Sequence, residues 1–311
     1  MSRTRDLSAF LVMALLFGGA FPAIEVGLRY LPPLALAAVR YAVSAAILLT
    51  YAGATTDYWR PRTRADRTAV LAGGVFFIGG SGLTFVGQQY TTAGVAAVVF
   101  SAIPILTVLV AHVLLPGERV SRRGVVGLLL GFVGVAIVVR PESGAVAPGP
   151  GLGGGAGPLG ELLVFAAALS VTVGTVLVRR SGPSMPTVAL TGWAMALGAG
   201  MQVGLSAAVG ESVESVRLAP AAVLAVGYLA VLASGVGFVV YFDLLSRFGP
   251  LEVNLVSYLV PVVSVVVGWG LLDEPVSAST LVGFGVVAAG FLLLKEKELA
   301  AELARYRGAA R

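Results

Sequence analysis

Apolar residues along this chain form long runs that are separated by short polar segments, and the runs show no alternation with a period of two. A helix needs about 20 residues to cross the hydrocarbon core of a bilayer. Lipid offers no partner to open backbone groups, so runs without the alternation of a barrel strand are predicted to be helices. The ten predicted spans cover residues 7–28, 34–52, 69–88, 92–115, 124–139, 159–178, 187–209, 221–242, 251–272 and 279–294.

Composition excludes a soluble protein of this length. Hydrophobic residues make up 57% of the 311 residues and charged residues only 12%, and mean hydropathy is +0.93. Soluble domains have about 25% charged residues. Cysteine is absent and His112 is the single histidine, so disulfides and thiolate or histidine metal clusters are excluded. No metal site and no cofactor are predicted.

The basic residues predict an orientation. With the N-terminus in the cytoplasm, most of the 21 Lys and Arg residues fall on the cytoplasmic side of the ten spans. Arg29, Arg140 and Arg217 fall outside, and Arg40 lies within the second span. The net charge of +5 therefore indicates membrane topology and not nucleic-acid binding, and both termini are predicted to be cytoplasmic.

The second half of the chain repeats the first. Pro104 matches Pro261, and the remaining matches share an offset of 156 residues: Glu118-Arg-Val-Ser121 with Glu274-Pro-Val-Ser277, Gly127 with Gly283, and Gly134 with Gly290. Five spans per half is an odd number, so the two copies are predicted to be inverted in the membrane. The predicted segments are a first repeat (1–139), a Pro/Gly-rich external linker (140–158), a second repeat (159–294) and a basic cytoplasmic tail (295–311). Inverted repeats place a substrate site near the midplane and permit alternating access.

Several motifs resemble the drug/metabolite transporter superfamily, in particular its EamA-type members with two five-helix repeats. They are Phe17-Gly-Gly-Ala-Phe21, Leu31-Pro-Pro33 with Ala37-Ala-Val-Arg-Tyr41, Tyr90-Thr-Thr-Ala-Gly94, Ser101-Ala-Ile-Pro104 with Gly117-Glu118, and Leu259-Val-Pro261 with Asp273-Glu274. The resemblance implies ten transmembrane helices, cytoplasmic termini and the transport of a small molecule such as an amino acid. The family is broad, so it does not name the substrate.

Charges inside membrane spans are costly and are therefore candidates for function. Glu25 and Arg40 lie at similar depth in the first two spans, which predicts that they pair. The pair would lock the two helices together without touching a ligand; alternatively, Arg40 would bind a substrate carboxylate or Glu25 would carry a proton.

Polar and aromatic groups near the midplane are the other candidates for substrate binding. Pro104 and Pro261 have a structural role: each lacks a backbone donor and so leaves a carbonyl group free. A neighbouring side chain or a ligand can use that carbonyl, so residues near the two prolines are candidates. The candidate substrate-binding residues, with Arg40, are Phe100, Ser101, Asn254, Ser257, Tyr258 and Trp193, of which Trp193 has packing as an alternative role.

The sequence therefore predicts an all-α integral membrane protein, a secondary exporter of a small metabolite in the plasma membrane of a prokaryote, and no enzyme. Its partners would be the bilayer, a small-molecule substrate and a proton if transport is coupled; monomer and homodimer both remain open. A lipid flippase or channel-like protein is one alternative. An intramembrane serine hydrolase is another, because Gly79-Gly-Ser-Gly82 resembles the serine motif of rhomboid-type proteases. The single histidine, His112, argues against it, since it is predicted near the cytoplasmic face and out of hydrogen-bond reach of Ser81 near mid-membrane.

Overall fold

The computed structural model describes residues 3–91, 93–114, 122–138, 158–212, 216–272 and 278–294. Within these ranges the chain is helical and contains no strand. Glu118, Glu274, residues 140–157 of the predicted linker and the predicted tail at 295–311 lie outside the described residues.

Fifteen α-helices, two π-helical segments and one 3-10 turn make up the described fold. In chain order they are α1 (Arg3–Gly18), α2 (Ala20–Leu28), α3 (Pro33–Thr55), α4 (Arg64–Leu71), the first π segment (Ala72–Gly79), α5 (Gly80–Gly87), α6 (Ala93–Phe100), α7 (Ile103–Leu114), α8 (Arg122–Val138), α9 (Pro158–Ser181), α10 (Thr187–Ala208), α11 (Pro220–Gly227), the second π segment (Tyr228–Val236), α12 (Gly237–Phe248), α13 (Pro250–Asn254), the 3-10 turn (Leu255–Tyr258), α14 (Val260–Leu272) and α15 (Ala278–Leu294).

These elements join into membrane-length stretches. Eight stretches of the described chain are long and apolar enough to span a bilayer: Asp6–Leu28, Pro33–Thr55, Arg64–Gly87, Ala96–Leu114, Leu159–Ser181, Thr187–Ala208, Pro220–Phe248 and Pro250–Gly270. The shorter apolar helices Arg123–Gly134 and Leu281–Gly290 fall where the fifth and tenth spans were predicted. The multi-pass helical class is thus confirmed, whereas a count of ten spans stays a prediction.

Four of the long stretches are irregular near their middle, and the irregularities occur in pairs. The two π segments begin at Ala72 and Tyr228, which are 156 residues apart, the offset of the sequence repeat. The helices that contain Pro104 and Pro261 are likewise interrupted just before these prolines, by a turn at Ser101 and by the 3-10 turn. Discontinuous helices of this kind occur at binding sites of transporters, where freed backbone groups line a cavity.

Side chains from neighbouring helices donate hydrogen bonds to the π segments. Gln202 Nε2 of α10 donates to the carbonyl of Gly79 (2.7 Å), and Ser170 Oγ of α9 donates to that of Phe76 (2.9 Å). In the second π segment, the carbonyl of Ala230 accepts from Ser44 Oγ of α3 (2.6 Å). These bonds cross between the two halves of the chain and fix the irregular backbone where water is excluded.

Helices α8 and α15 pack with their backbones in close approach. A Cβ atom added at Gly290 would lie 2.6 Å from the backbone nitrogen of Gly131 and 2.7 Å from the carbonyl oxygen of Gly127. Gly127 and Gly131, spaced four residues apart, therefore form a small-residue contact face for α15. Gly200 and Gly204 of α10, which show the same spacing, have no such neighbour among the described residues.

Two carboxylates hold the ends of helices that belong to the other half of the chain. Asp66, at the start of α4, is buried and accepts hydrogen bonds from the backbone amides of Ser184 (2.9 Å) and Met185 (3.1 Å), just before α10. Glu211, which follows α10, accepts from the amides of Leu34 and Ala35 (both 2.9 Å) in the first turn of α3. A carboxylate at a helix N-terminus satisfies open amides and suits the helix dipole. We call this arrangement the crossed caps; it ties the start of α10 to α4 and the end of α10 to the start of α3.

Candidate functional site

A central cavity of about 100 Å³ lies where the irregular stretches meet. Residues from both halves of the chain surround it, and eight of its lining residues are aromatic: Phe17, Phe21, Tyr41, Phe77, Phe85, Phe100, Phe238 and Tyr241. A larger groove of about 650 Å³ between α6, α8 and α9 is more open, and Glu161 is the single polar residue among the described residues that line it. Ligand sites combine an apolar wall with a few placed polar groups, which the central cavity has.

Arg40 of α3 is the one charged residue that lines the cavity in the part of the chain that the structure describes. Its side chain is buried, and its Nε donates to Ser234 Oγ in the second π segment (2.5 Å). The guanidinium carbon lies 5.0 Å from the ring centre of Tyr41, 5.6 Å from that of Phe85 and 5.9 Å from that of Phe238. Cation–π attraction of this kind contributes about 0.5–2 kcal/mol per ring, so the aromatic wall itself positions the cation.

The expectation that Glu25 pairs with Arg40 is wrong. The carboxylate of Glu25 lies 3.5 Å from Arg29, four residues later, and its second oxygen lies 3.4 Å from the amide of Ala93. Residues four apart share one face of a helix, and this local geometry takes precedence over the predicted contact between helices. No carboxylate within the described residues forms an ion pair with Arg40.

Asn254, which lines the cavity, is the centre of a buried chain of hydrogen bonds. The amide oxygen of Asn254 accepts from the hydroxyl of Tyr241 (2.7 Å), and its Nδ2 donates to Thr107 Oγ1 (2.8 Å). The hydroxyl of Tyr241 also lies 2.7 Å from Thr175 Oγ1. Asn254 thus connects α7, α9 and α12, which come from both halves of the chain.

Replacing Asn254 by alanine is expected to lower the free energy of unfolding by about 1–3 kcal/mol, because two buried bonds to neighbouring hydroxyls are lost. Unfolding of the detergent-solubilised protein measures this. A double-mutant cycle with Tyr241→Phe separates the Asn254–Tyr241 bond from the loss of packing. Strictly additive effects would contradict the hydrogen-bonded network.

The other sequence-predicted residues divide into two groups. Phe100 and Ser257 line the cavity, together with Arg40 and Asn254. Ser101 and Tyr258 are buried beside it but do not line it. Ser101 Oγ donates to the carbonyl of Val98 at the helix interruption (2.6 Å), and the hydroxyl of Tyr258 donates to the carbonyl of Leu128 in α8 (2.8 Å).

Trp193 lies away from the cavity. Its ring stacks on that of Trp59, with ring centres 6.0 Å apart and planes inclined by 10°. Its Nε1 donates to the carbonyl of Trp59 (2.9 Å). The structure therefore supports the packing role of Trp193 and not its placement in the cavity wall, because a partner 134 residues earlier in the sequence holds it.

Ser81 has hydrogen-bond partners that differ from those of a nucleophile. Its hydroxyl lies 2.7 Å from that of Tyr41 and donates to the carbonyl of Ile78 (2.7 Å). His112, the only histidine, is exposed on α7. Ser81 lines the cavity with Tyr41, so its hydroxyl contributes to a binding wall.

Sequence reasoning missed several polar residues of the site. The hydroxyls of Tyr41, Ser81, Thr84 and Tyr241 line the cavity, and Ser234 holds Arg40 from behind. The available signal was weak: each is a hydroxyl residue inside an apolar run, and such residues also commonly bond to the backbone of their own helix. Thr84 does not; its hydroxyl has no partner within the described residues.

The same loop that contains Trp59 also contains a phenol bonded to the Asp66 cap. The hydroxyl of Tyr58 donates to Asp66 Oδ2 (2.5 Å), and this bond raises the pKa of Tyr58 above its ordinary value. The phenol thus donates to the carboxylate and adds a side-chain bond to the crossed caps.

Comparison with known proteins identifies the fold and the family that this geometry resembles. The model of the EamA-like transporter family matches residues 6–140 and again residues 158–295. The uncharacterized transporter YvbV of Bacillus subtilis is 26% identical, over 97% of this chain and 95% of its own length. The uncharacterized inner membrane transporter YedA of Escherichia coli is 25% identical, over 92% and 89%. A solved crystal structure superimposes with a TM-score of 0.75 at 22% identity, covering 97% of this chain and 99% of the other.

Proposed function

Because this chain belongs to the EamA-like transporter family, we propose that it is a secondary transporter that exports a small organic metabolite by alternating access. It would do so with ten transmembrane helices in two inverted five-helix repeats and with both termini in the cytoplasm of a prokaryote. Membership of the family establishes that the chain is a multi-pass membrane transporter and not an enzyme. The substrate, the direction of transport and the mechanism are what we propose.

The observation that carries the proposal is the central cavity. Both matched repeats contribute to its wall, and paired irregular helices border it. Helices broken at matching positions in two repeats are typical of alternating-access carriers, in which one repeat moves against the other around a fixed site. A hydrolase would need an activated nucleophile, whereas Ser81 bonds to Tyr41 and to a backbone carbonyl.

In this proposal the cavity residues Arg40, Phe100, Asn254 and Ser257 contact the substrate. The interrupted helices are held in shape by residues that do not contact the substrate: Ser101, Tyr258, Pro104 and Pro261. Glu25, which is bonded to Arg29, keeps the role of a candidate proton carrier only if its pairing changes during transport.

Counterflow in proteoliposomes tests the transport function. Vesicles loaded with unlabelled solute are expected to accumulate the labelled solute transiently, because a carrier exchanges bound substrate across the membrane. A channel, a flippase that acts on lipids or a hydrolase would give no such overshoot. Absence of counterflow across a panel of amino acids, organic acids and amines would contradict the proposal.

A paired substitution locates the transport site. Ser257→Phe, which adds a ring to the cavity wall, is expected to lower the initial counterflow rate by about tenfold or more, because the site has little free volume. Val266→Phe adds the same ring at an exposed position of α14 and is expected to leave the rate nearly unchanged. Equal rates for the two variants would show that solute does not pass through this cavity.

A further inference from the structure

We propose that the central cavity binds a compact organic monoanion, a carboxylate on a small apolar body, in preference to a zwitterionic amino acid or an amine. This inference rests on the proposed transport function and narrows its substrate class. Four independent features of the cavity carry it: an unpaired cation, the absence of lining acids, two helix N-termini and an aromatic wall.

The cation is Arg40, which is 4% exposed. Within the described residues the only hydrogen bond of its side chain runs from Nε to Ser234 Oγ, so the two terminal amino groups of the guanidinium have no hydrogen-bond partner there. A buried cation without a counter-ion costs several kcal/mol in a bilayer. A carboxylate would remove that cost, because its two oxygens match the planar donor fork of arginine.

Among the described residues, the lining contains no aspartate or glutamate. Glu25, the nearest acidic residue in sequence to the lining residue Ile24, is bonded to Arg29 and to the amide of Ala93. An ammonium group in the cavity would therefore meet Arg40 without a compensating carboxylate. Like charges in a medium of low dielectric repel strongly, which disfavours amines and reduces the affinity for amino acids.

Two helix N-termini border the same space. Ile103 begins α7 and Val260 begins α14, and both residues line the cavity. The N-terminus of a helix carries a partial positive charge and favours anions. Since α7 and α14 follow the paired interruptions, the two repeats contribute equivalent positive ends in addition to Arg40.

The remaining wall suits an apolar body of limited size. Phe17, Phe21, Phe77 and Phe100 face the space with no polar atom to satisfy. The hydroxyl of Thr84 is buried in this lining and has no partner among the described residues, so it is available to one ligand oxygen. A volume of about 100 Å³ admits a ligand of roughly the size of a single ring.

Three probes that share one scaffold test the charge preference. Phenylacetate is the anion, phenylglycine adds an ammonium group to it, and benzylamine keeps the ring but replaces the carboxylate by an ammonium. Thermal unfolding of the purified protein in detergent measures binding, because a ligand of the folded state raises the melting temperature. Phenylacetate is expected to raise it in a saturable manner, and the affinity for phenylglycine is expected to be at least about tenfold weaker.

Variants assign the effect to the cation. Arg40→Gln is expected to weaken phenylacetate binding by at least tenfold, Arg40→Lys to weaken it less because the charge remains, and Ser234→Ala to weaken it several-fold because the guanidinium loses its anchor. Val266→Phe should bind phenylacetate like the unmodified chain. If Arg40→Gln does not fold, Arg40→Lys and Ser234→Ala still test the assignment, because each is expected to bind phenylacetate more weakly than the unmodified chain.

Stronger binding of phenylglycine or benzylamine than of phenylacetate would overturn the inference. So would phenylacetate binding that is unchanged in Arg40→Gln, or the absence of any effect of phenylacetate on the unmodified protein. In each of these cases counterflow of some other solute would leave the transporter proposal intact. Absence of counterflow for every solute, with phenylacetate binding retained, would instead contradict transport and leave the anion site standing.

Discussion

Replacement of Asp66 by alanine is expected to lower the free energy of unfolding by about 3–5 kcal/mol. The carboxylate accepts five hydrogen bonds: from the hydroxyl of Tyr58 and from the backbone amides of Arg62, Thr63, Ser184 and Met185. Its own amide donates to Thr63 Oγ1, which completes a capping box at the start of α4. Removal of the acid leaves donors from two separate segments without an acceptor.

The measurement is unfolding of the detergent-solubilised protein. Asp57→Ala is the matched control, because Asp57 is an exposed acid nine residues earlier. Asp66→Asn, which keeps one acceptor oxygen, is expected to fall between the two. A loss for Asp66→Ala within about 0.5 kcal/mol of that for Asp57→Ala, the range of ordinary surface substitutions, would refute the role assigned to this carboxylate.

Replacement of Gly290 by valine is expected to separate α8 from α15 and to lower the free energy of unfolding by about 2–3 kcal/mol. The new Cβ would meet backbone atoms of Gly127 and Gly131 within 2.7 Å, and backbone atoms cannot rotate away as a side chain can. Close packing is the main force between helices in lipid, so few other interactions compensate for the separation.

Gly285→Val on the same helix is the matched control. A Cβ at Gly285 meets nothing within 4 Å of the described chain, and valine is well tolerated on an apolar helix surface. Unfolding of both variants in detergent, with cross-linking between cysteines introduced in α8 and α15, measures the separation. Equal stability and equal cross-linking of the two variants would refute the close contact.

The hydropathy pattern predicts the helical class and most of the spans, because residues that face lipid or a helix interface are both apolar. The repeat offset of 156 is also the offset between the two π segments. No pattern in the sequence predicts that these segments are π-helical. Glycine pairs at Gly73-Gly74 and Gly79-Gly80 mark the first of them, but glycine is frequent throughout the chain. Helical irregularity depends on packing and not on composition alone.

The sequence identifies a residue of the cavity wall where a charge lies in an apolar run, but it does not identify the partner of that residue; a role in substrate binding stays a prediction. Arg40 stands out as a cation in an apolar run, yet its partner Ser234 lies 194 residues away and has no local signal. Glu25 was assigned to Arg40, whereas the nearer Arg29 is its partner. The sequence leaves Trp193 between a packing role and the cavity wall, because the path of the loop that contains its stacking partner, Trp59, is not specified by any local pattern.

The crossed caps determine the order in which contacts can form while the chain is being synthesised. The amides of Leu34 and Ala35 are bonded by a carboxylate that is synthesised more than 170 residues later, since the Leu34–Glu211 bond spans 177 positions. Until the ribosome has added Glu211, the first turn of α3 lacks its acceptor, and until Ser184 and Met185 emerge, Asp66 lacks two of its donors. Contacts of such long separation form late. Helix α3 therefore reaches its final state only after about two thirds of the chain has been made, and insertion of the first half is a provisional stage.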